Sequence, residues 1–559
     1  MNRNKFEEKT NRVHMLFPLT EGLMQNIVTD NSVDKKCFLI YFVMFLLFLS
    51  AGTEAGEAYT DEPGARIPWT SYEAEAAEFS GKIISGSEER NKVSYEASGK
   101  SCVELSAEGN FVSVKSTVKA DRLTFRYSIP KETRGSVNLF INNKLIESIP
   151  LSSHRIWRPK PNLPGGVFRF FDEVTVETKV KKGDVIKLVK GPEGNVVIDF
   201  VDLELIPKPI KKPDNTWLDI TTCGATGNDE SDDTEAIKKC IANAAAGSKK
   251  VWIPAGMFII TDQINIPEGM KVAGAGMWYS IVIKNIPAKT MRRGFQMASN
   301  TVIRDLKLDD ILGDYRINGH EGIRFSSSTN VLIDGVWVSN TYGAGLLGSN
   351  ATGIVIKNCR VFGTFADAIH IARKSVNCLA ENNLVRNSGD DGLAIVTYNS
   401  AGCHDIIYRH NSVWYNYWGR GITMIGGDHN ILEYNMVADG SKAGFLIAVE
   451  EYNNQITPYV TNFIVQNNRS IRNGDITNKV MAGIWLWGNV KNSPMSGEIR
   501  YNEIIDPVIH SITLQNWVPK EVSVHHNTID APGPGGERIY RILKDDFSPV
   551  VNENTDVDR

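Results

Sequence analysis

Residues 383–395 read NLVRNSGDDGLAI, residues 411–424 read NSVWYNYWGRGITM, and residues 435–447 read NMVADGSKAGFLI. Each stretch opens on Asn, places Val two positions later, and closes some ten residues on with an apolar–x–apolar triplet. An Asn-like residue followed by Val or Ile at the same spacing recurs at Asp334, Asn502 and Asn527, with Asn358 and Asn467-Asn468 in equivalent turns after a small slip. The triplets recur as Ile369-His-Ile371, Leu393-Ala-Ile395, Ile422-Thr-Met424, Phe445-Leu-Ile447, Ile484-Trp-Leu486 and Ile512-Thr-Leu514. Self-similarity at this period marks a solenoid whose units bury their apolar faces only by stacking. Two apolar residues flanking one outward residue is strand periodicity, and strands that pair with the same strand of the next coil make a right-handed parallel β-helix. The repeated asparagines suit a hydrogen-bonded ladder inside one turn. The expected β-helix runs over residues 217–540, with 541–559 as a C-terminal tail.

Upstream, residues 66–207 alternate apolar and polar in short runs such as Phe125–Ile129, Val137–Ile141 and Val185–Val189, punctuated by Gly, Pro and Asn. This predicts an all-β jelly-roll sandwich. A basic, proline-bearing stretch, residues 208–216, reads as a linker. Beyond it Glu235–Ala246 is amphipathic and preceded by an Asp/Thr cluster, predicting a capped helix. With Val251–Gly256 and Val272–Gly276 after it, this order resembles the entrance to parallel β-helices of the pectate-lyase type, which implies a helix over the open end of the stack. Near the N-terminus, Lys35 and Lys36 precede thirteen uninterrupted apolar residues, Cys37–Leu49, with small residues from Ala51 to Ala58. That run is short for a membrane span and suits a signal-peptide core, so residues 1–58 are expected to be a removable leader with a long extension, and the mature chain to be extracellular. With 61 Lys+Arg against 65 Asp+Glu the chain lacks the basic excess of a nucleic-acid binder. The expected partner is a polysaccharide met by a soluble monomer. The six cysteines beyond the leader show no metal-ligand spacing; Cys223 and Cys240 are candidates to pair, and otherwise all six are small core residues.

Stacking converts spacing into position. Asp367, Asp391 and Arg420 each stand two residues before Ile369, Leu393 and Ile422, so they share one column on three successive coils about 4.8 Å apart. Asp390 adjoins Asp391. Crowded carboxylates raise one another's pKa, which keeps a proton available for a glycosidic oxygen while another carboxylate activates water. The outward residues of the triplet column continue this surface. His370, Arg420, Thr423, Trp485 and Trp487 are the candidate sugar contacts, the tryptophans as exposed platforms for sugar rings. A cation held by the aspartates, or simple turn capping, would use the same residues, and no cofactor is expected for catalysis.

Two resemblances sharpen this reading. Tyr72-Glu-Ala-Glu-Ala-Ala77 and Val197-Ile-Asp-Phe-Val201 resemble carbohydrate-binding modules of families 6 and 35. That resemblance implies a structural calcium on Glu73 or Glu75 with Asp199. Phe365-Ala-Asp-Ala-Ile369 and Asn387-Ser-Gly-Asp-Asp-Gly-Leu-Ala-Ile395 resemble the catalytic motifs of glycoside hydrolase family 87, the α-1,3-glucanases and mycodextranases. Gly274–Ser280, Gly421–Gly427 and Ala482–Trp487 extend the similarity over most of residues 217–530. The resemblance implies catalytic roles for Asp367, Asp390 and Asp391 and inversion at the anomeric carbon. A uronate lyase or epimerase, for which Arg373, Lys374 and Arg420 supply basic groups, and a non-catalytic glycan binder remain open at this point.

Overall fold

The computed structural model describes residues 61–86, 92–159, 168–399, 402–544 and 547–557; the leader lies outside them. Among the described residues no helix is long and apolar enough to cross a membrane.

Residues 217–557 form the expected parallel β-helix, built on three sheets. The first has 14 strands, beginning with Trp217–Asp219 and ending with Val550–Asn552. The second has 12 strands, from Gly256–Ile260 to Thr555–Val557. The third has 11, from Ile264–Ile266 to Ile539–Leu543. In the third sheet Ile369 pairs with Leu393, Leu393 with Ile422, Ile422 with Phe445, and Phe445 with Ile484, the register the triplets predict. Their inward side chains join one apolar core running the length of the stack. Helix Thr234–Ala246 packs Ile237, Cys240, Ile241 and Ala244 onto the first coils. The 541–559 tail is a correction: its strands extend the first and second sheets, and Asn554 continues the asparagine column. Cys223 and Cys240 are both buried and unpaired.

The ladder explains why asparagine recurs. Asn383, Asn411, Asn435, Asn468, Asn502, Asn527 and Asn554 stack so that each Nδ2 donates to the next Oδ1 at 2.9–3.0 Å. Each Oδ1 also accepts the backbone N–H of the preceding rung, as Asn435 does from Asn411 at 3.1 Å. The residue before each rung, from Asn382 and His410 to His526, has positive φ, which turns the chain between the first and second sheets. Asp334 is out of register by one: it forms an exposed column with Asn358 and Asn382, and Cys359 takes the rung position below Asn383. Asn435→Ala is expected to orphan buried partners on both sides, lowering stability by about 2–4 kcal/mol; the denaturant midpoint measures this, and an unchanged midpoint would refute the ladder's role.

The sandwich comprises a six-stranded and a five-stranded antiparallel sheet around its own core. It is not a tethered module. Its strand Val196–Glu204 is buried at every position. Ile198 and Leu203 face the sandwich core, while Phe200 packs against Trp337, Phe362, Leu384 and Trp414 of the stack. Acidic residues of the same strand meet arginines of the second sheet. Glu204 binds Arg360 through two hydrogen bonds of 2.9 and 2.5 Å, and Asp202 binds Arg386 at 2.8 Å. The expected spacer thus joins two parts that share an apolar and ionic interface.

The carboxylates expected to hold calcium have protein partners of their own. Asp199 is fully buried against Arg126, whose Nη1 donates to its Oδ2 at 2.5 Å, and the Ser98 N–H donates to Oδ1 at 3.0 Å. A guanidinium already supplies the positive charge at that carboxylate. Glu73 instead accepts from the Ser98 hydroxyl at 2.8 Å, and burial pushes its pKa up to about 7; Glu75 is raised for the same reason.

Candidate active site

Asp367, Asp390 and Asp391 converge where the turns after the second sheet enter the third. One oxygen from each lies within 4.8 Å of the others, the one such acidic group among the described residues. Backbone hydrogen bonds hold the column together: Asp391 N–H donates to Asp367 Oδ1 at 3.1 Å, and Arg420 N–H donates to Asp391 Oδ1 at 2.7 Å. A carboxylate that accepts the next coil's N–H is aimed along the stack axis, so the repeat itself orients the site. Tight packing of the turns has a visible cause at Gly419, where a Cβ would meet the Asp390 backbone at 2.1 Å.

Each carboxylate has its own cationic partner. His370 Nδ1 lies 2.9 Å from Asp367 Oδ2, Arg420 Nη2 lies 3.1 Å from Asp391 Oδ2, and Arg316 Nη1 is ion-paired with Asp390. Burial lowers the pKa of His370, yet Asp367 at its edge raises it overall, which favours the imidazolium. Burial raises Asp391 to about 6; Arg420 opposes the shift, and the Asp390 and Asp367 charges add to it. A cluster with three acidic groups, two guanidiniums and an imidazole balances its own charge. This weakens the alternative that the aspartates exist to hold a cation.

The predicted sugar contacts divide. His370 and Arg420 adjoin the carboxylates. Thr423 is fully buried and Trp485 is 6% exposed, which corrects the expectation of open contacts. Leu446, Ala448, Met481 and Ile425 cover the outer face of the third sheet there, with Val396 and Tyr398 at the edge. Trp485 donates to Gln515 Oε1 at 2.9 Å and stacks on Trp487 with centroids 5.1 Å apart. Trp487 is half-buried, and its indole N–H has no hydrogen-bond partner.

Three residues were not anticipated. Arg316 comes from the long connection after strand Lys307–Asp310, and its neighbour Asp314 is held by Arg158 of the sandwich at 2.9 Å. Tyr398 and Glu450 hydrogen-bond to each other and act electrostatically on Arg420. The sandwich also clamps Asn387, three residues before Asp390, through Arg126 at 2.8 Å and Glu173 at 3.1 Å.

Residues 66–206 match the family described as α-1,3-glucanase catalytic domain D1, and residues 217–445 match the rhamnogalacturonase A/epimerase, pectate lyase-like family. The sandwich match is thus to a domain of α-1,3-glucanase catalytic units. The catalytic unit of the family 87 α-1,3-glucanase from Streptomyces thermodiastaticus superposes with a TM-score of 0.76 at 22% identity, over 89% of this chain and 96% of that one. The Agl-KA catalytic domain gives 0.76 at 20% identity, over 91% and 100%. A family 87 α-1,3-glucanase catalytic domain in complex with nigerose gives 0.74 at 20% identity, over 88% and 98%. The sandwich–stack architecture is thus that of family 87 catalytic domains, with the sandwich inside the catalytic unit. Separately, 65 residues are 37% identical to the non-secreted LysM effector LysM19 of Penicillium expansum; the match spans 12% of this chain and 5% of that protein.

Proposed function

We propose that the protein is an exported α-glucan hydrolase that cleaves α-1,3-glucosidic bonds with Asp367, Asp390 and Asp391. The observation that carries this reading is the convergence of three carboxylates, one of them lifted to about 6, on one end of a stacked strand column. Glycoside hydrolysis needs one protonated and one ionised carboxyl group. Asp391, the most desolvated, holds the proton for the leaving oxygen. Asp390, paired with Arg316, and Asp367, paired with His370, share the attacking water. A third carboxylate beyond the necessary pair gives that water two acceptors, which favours direct attack and inversion over a covalent intermediate. The oxygens are closer than the ~6.5–9.5 Å usual between inverting carboxyl groups, so the outcome is best read from product anomers.

The relatives support the substrate class. Solved family 87 domains carry nigerose in three complexes and tetrasaccharides in two others. Four of those complexes have one aspartate replaced by alanine, and the three replaced positions stand at the same intervals along their chain as Asp367, Asp390 and Asp391. Export is proposed from the apolar run Cys37–Leu49 and its small-residue flank. Incubation with α-1,3-glucan should release reducing ends whose first-formed anomer, followed by NMR, is β. An unsaturated product would replace this reading with a lyase, and no product over long incubation would reduce it to binding.

The pH dependence follows from Asp391. Its proton is needed, so kcat/KM falls as pH rises through about 6. Arg420 lowers the pKa of Asp391, so Arg420→Gln raises it, and the basic limb of the pH profile moves to higher pH even though the rate drops. A limb that stays in place or moves down would assign the proton elsewhere.

A further inference from the structure

A cavity of about 440 Å³ lies between the sandwich and the second sheet. Arg155, Asp172 and Glu173 line it from the sandwich, and Trp278, Trp337 and Asn340 from the stack. We propose that this cavity is a second saccharide-binding site, taking one or two sugar units of a neutral glucan chain. The choice of sugar rests on the hydrolase reading above; the site itself rests on the following chemistry.

Three donors are buried at the cavity with no partner: the indole N–H groups of Trp278 and Trp337, and Nε of Arg155. Trp337 is nine-tenths buried. A buried donor left unpaired costs about 1–3 kcal/mol, so the cavity selects a ligand rich in oxygen acceptors. Charge selects further. Arg122, Arg155, Arg169 and Lys307 are matched by Asp172, Glu173, Glu177 and Asp309. The closest pairs are already formed: Arg169 with Asp172 at 2.8 Å, and Lys307 with Asp309 at 2.9 Å. A wall of balanced, paired charges favours a neutral molecule whose groups both donate and accept, which is what hydroxyls do.

The indole faces are occupied. Lys307 lies 4.3 Å from the Trp337 centroid, and Arg360 lies 5.4 and 5.3 Å from those of Trp337 and Trp278. The ring faces are therefore not free, which argues against a flat apolar ligand. The volume lies in the ~300–1,000 Å³ range of small-molecule sites. Gly363 and Asn387 also line the cavity, four and three residues ahead of Asp367 and Asp390 on the same turns. A glucan segment held here would share those turns with the catalytic site.

The test is calorimetric titration of the full chain carrying Asp391→Asn with nigerose, an α-1,3-linked glucose disaccharide. Two sites per chain are expected. Trp278→Phe and, separately, Arg155→Gln in that background should each weaken one site by about tenfold, as loss of a buried hydrogen bond does, and leave the other unchanged. Unchanged melting temperatures confirm that both variants fold. One site in the parent, or variants that titrate as the parent does, would mean that the cavity holds only water and would overturn the proposal. The two readings fail separately. If the unsubstituted chain released no sugar from α-1,3-glucan while the cavity variants still altered binding, the hydrolase reading would fall and this site would stand.

Discussion

Replacing Asp390 by Asn is expected to lower kcat on α-1,3-glucan by at least about a thousandfold, with Asp367→Asn and Asp391→Asn close behind. General acid or base groups contribute about 10²–10⁴ each, and residues that act as a unit are not additive. Combining two substitutions should therefore cost little more than either alone. The three differ in what they leave behind. Asp390→Asn frees Arg316, whose guanidinium is left half-buried without its carboxylate. Asp391→Asn removes the group raised to about 6, and with it the basic limb of the pH profile. Asp367→Asn unpairs His370, whose pKa should fall once the neighbouring carboxylate is gone. NMR titration of His370 reads that fall independently of catalysis. Initial rates of reducing-end release measure the main effect, and full activity in all three variants would sink the assignment.

The stack and its aspartate column were legible because a β-helix makes distance along the chain nearly equivalent to height. Asp367, Asp391 and Arg420 had only to share an offset from their triplets to be neighbours, and the hydrogen bonds between successive coils place them so. Alternation reveals less about the outer face. It says that Thr423 and Trp485 point away from the core, and nothing about what lies over them; the cover comes from Leu446, Met481 and Tyr398, on other coils. Arg316 was illegible for a related reason. It sits in a long connection with no repeat to index it, and only the fold brings it to Asp390. Long connections on a regular scaffold are where such residues concentrate, and the segment after Lys307–Asp310 is one of them. The sandwich interface did carry a signal. Val196–Glu204 reads VVIDFVDLE, without the clean alternation of a half-exposed strand. Its two faces meet two cores, and Asp202 and Glu204 are the acids that answer Arg386 and Arg360.

That interface yields the second large effect. A free-standing sugar-binding module can be removed with the catalytic domain left intact; here, deletion of residues 66–206 is expected to leave a β-helix that aggregates and hydrolyses nothing. The deletion uncovers Trp337, Phe362, Leu384 and Trp414, now packed under Phe200 and Trp69, as one contiguous apolar patch. Exposed patches of that kind drive association. It also strips Arg360 and Arg386 of Glu204 and Asp202, leaving uncompensated guanidiniums in a largely apolar surface, and breaking such a pair from one side costs about 3–5 kcal/mol. The turns that carry the aspartates lose their supports as well, since Arg126 and Glu173 hold Asn387, and Arg158 holds Asp314 beside Arg316. A milder version separates support from solubility. Glu173→Gln keeps the apolar interface while weakening its contacts with Arg386 and Asn387. Its expected signature is a severalfold lower kcat with little change in melting temperature, because the affected turn carries Asp390 rather than the core. A soluble fragment of residues 217–559 that cleaves soluble oligosaccharides at the full rate would show that the sandwich is an accessory after all.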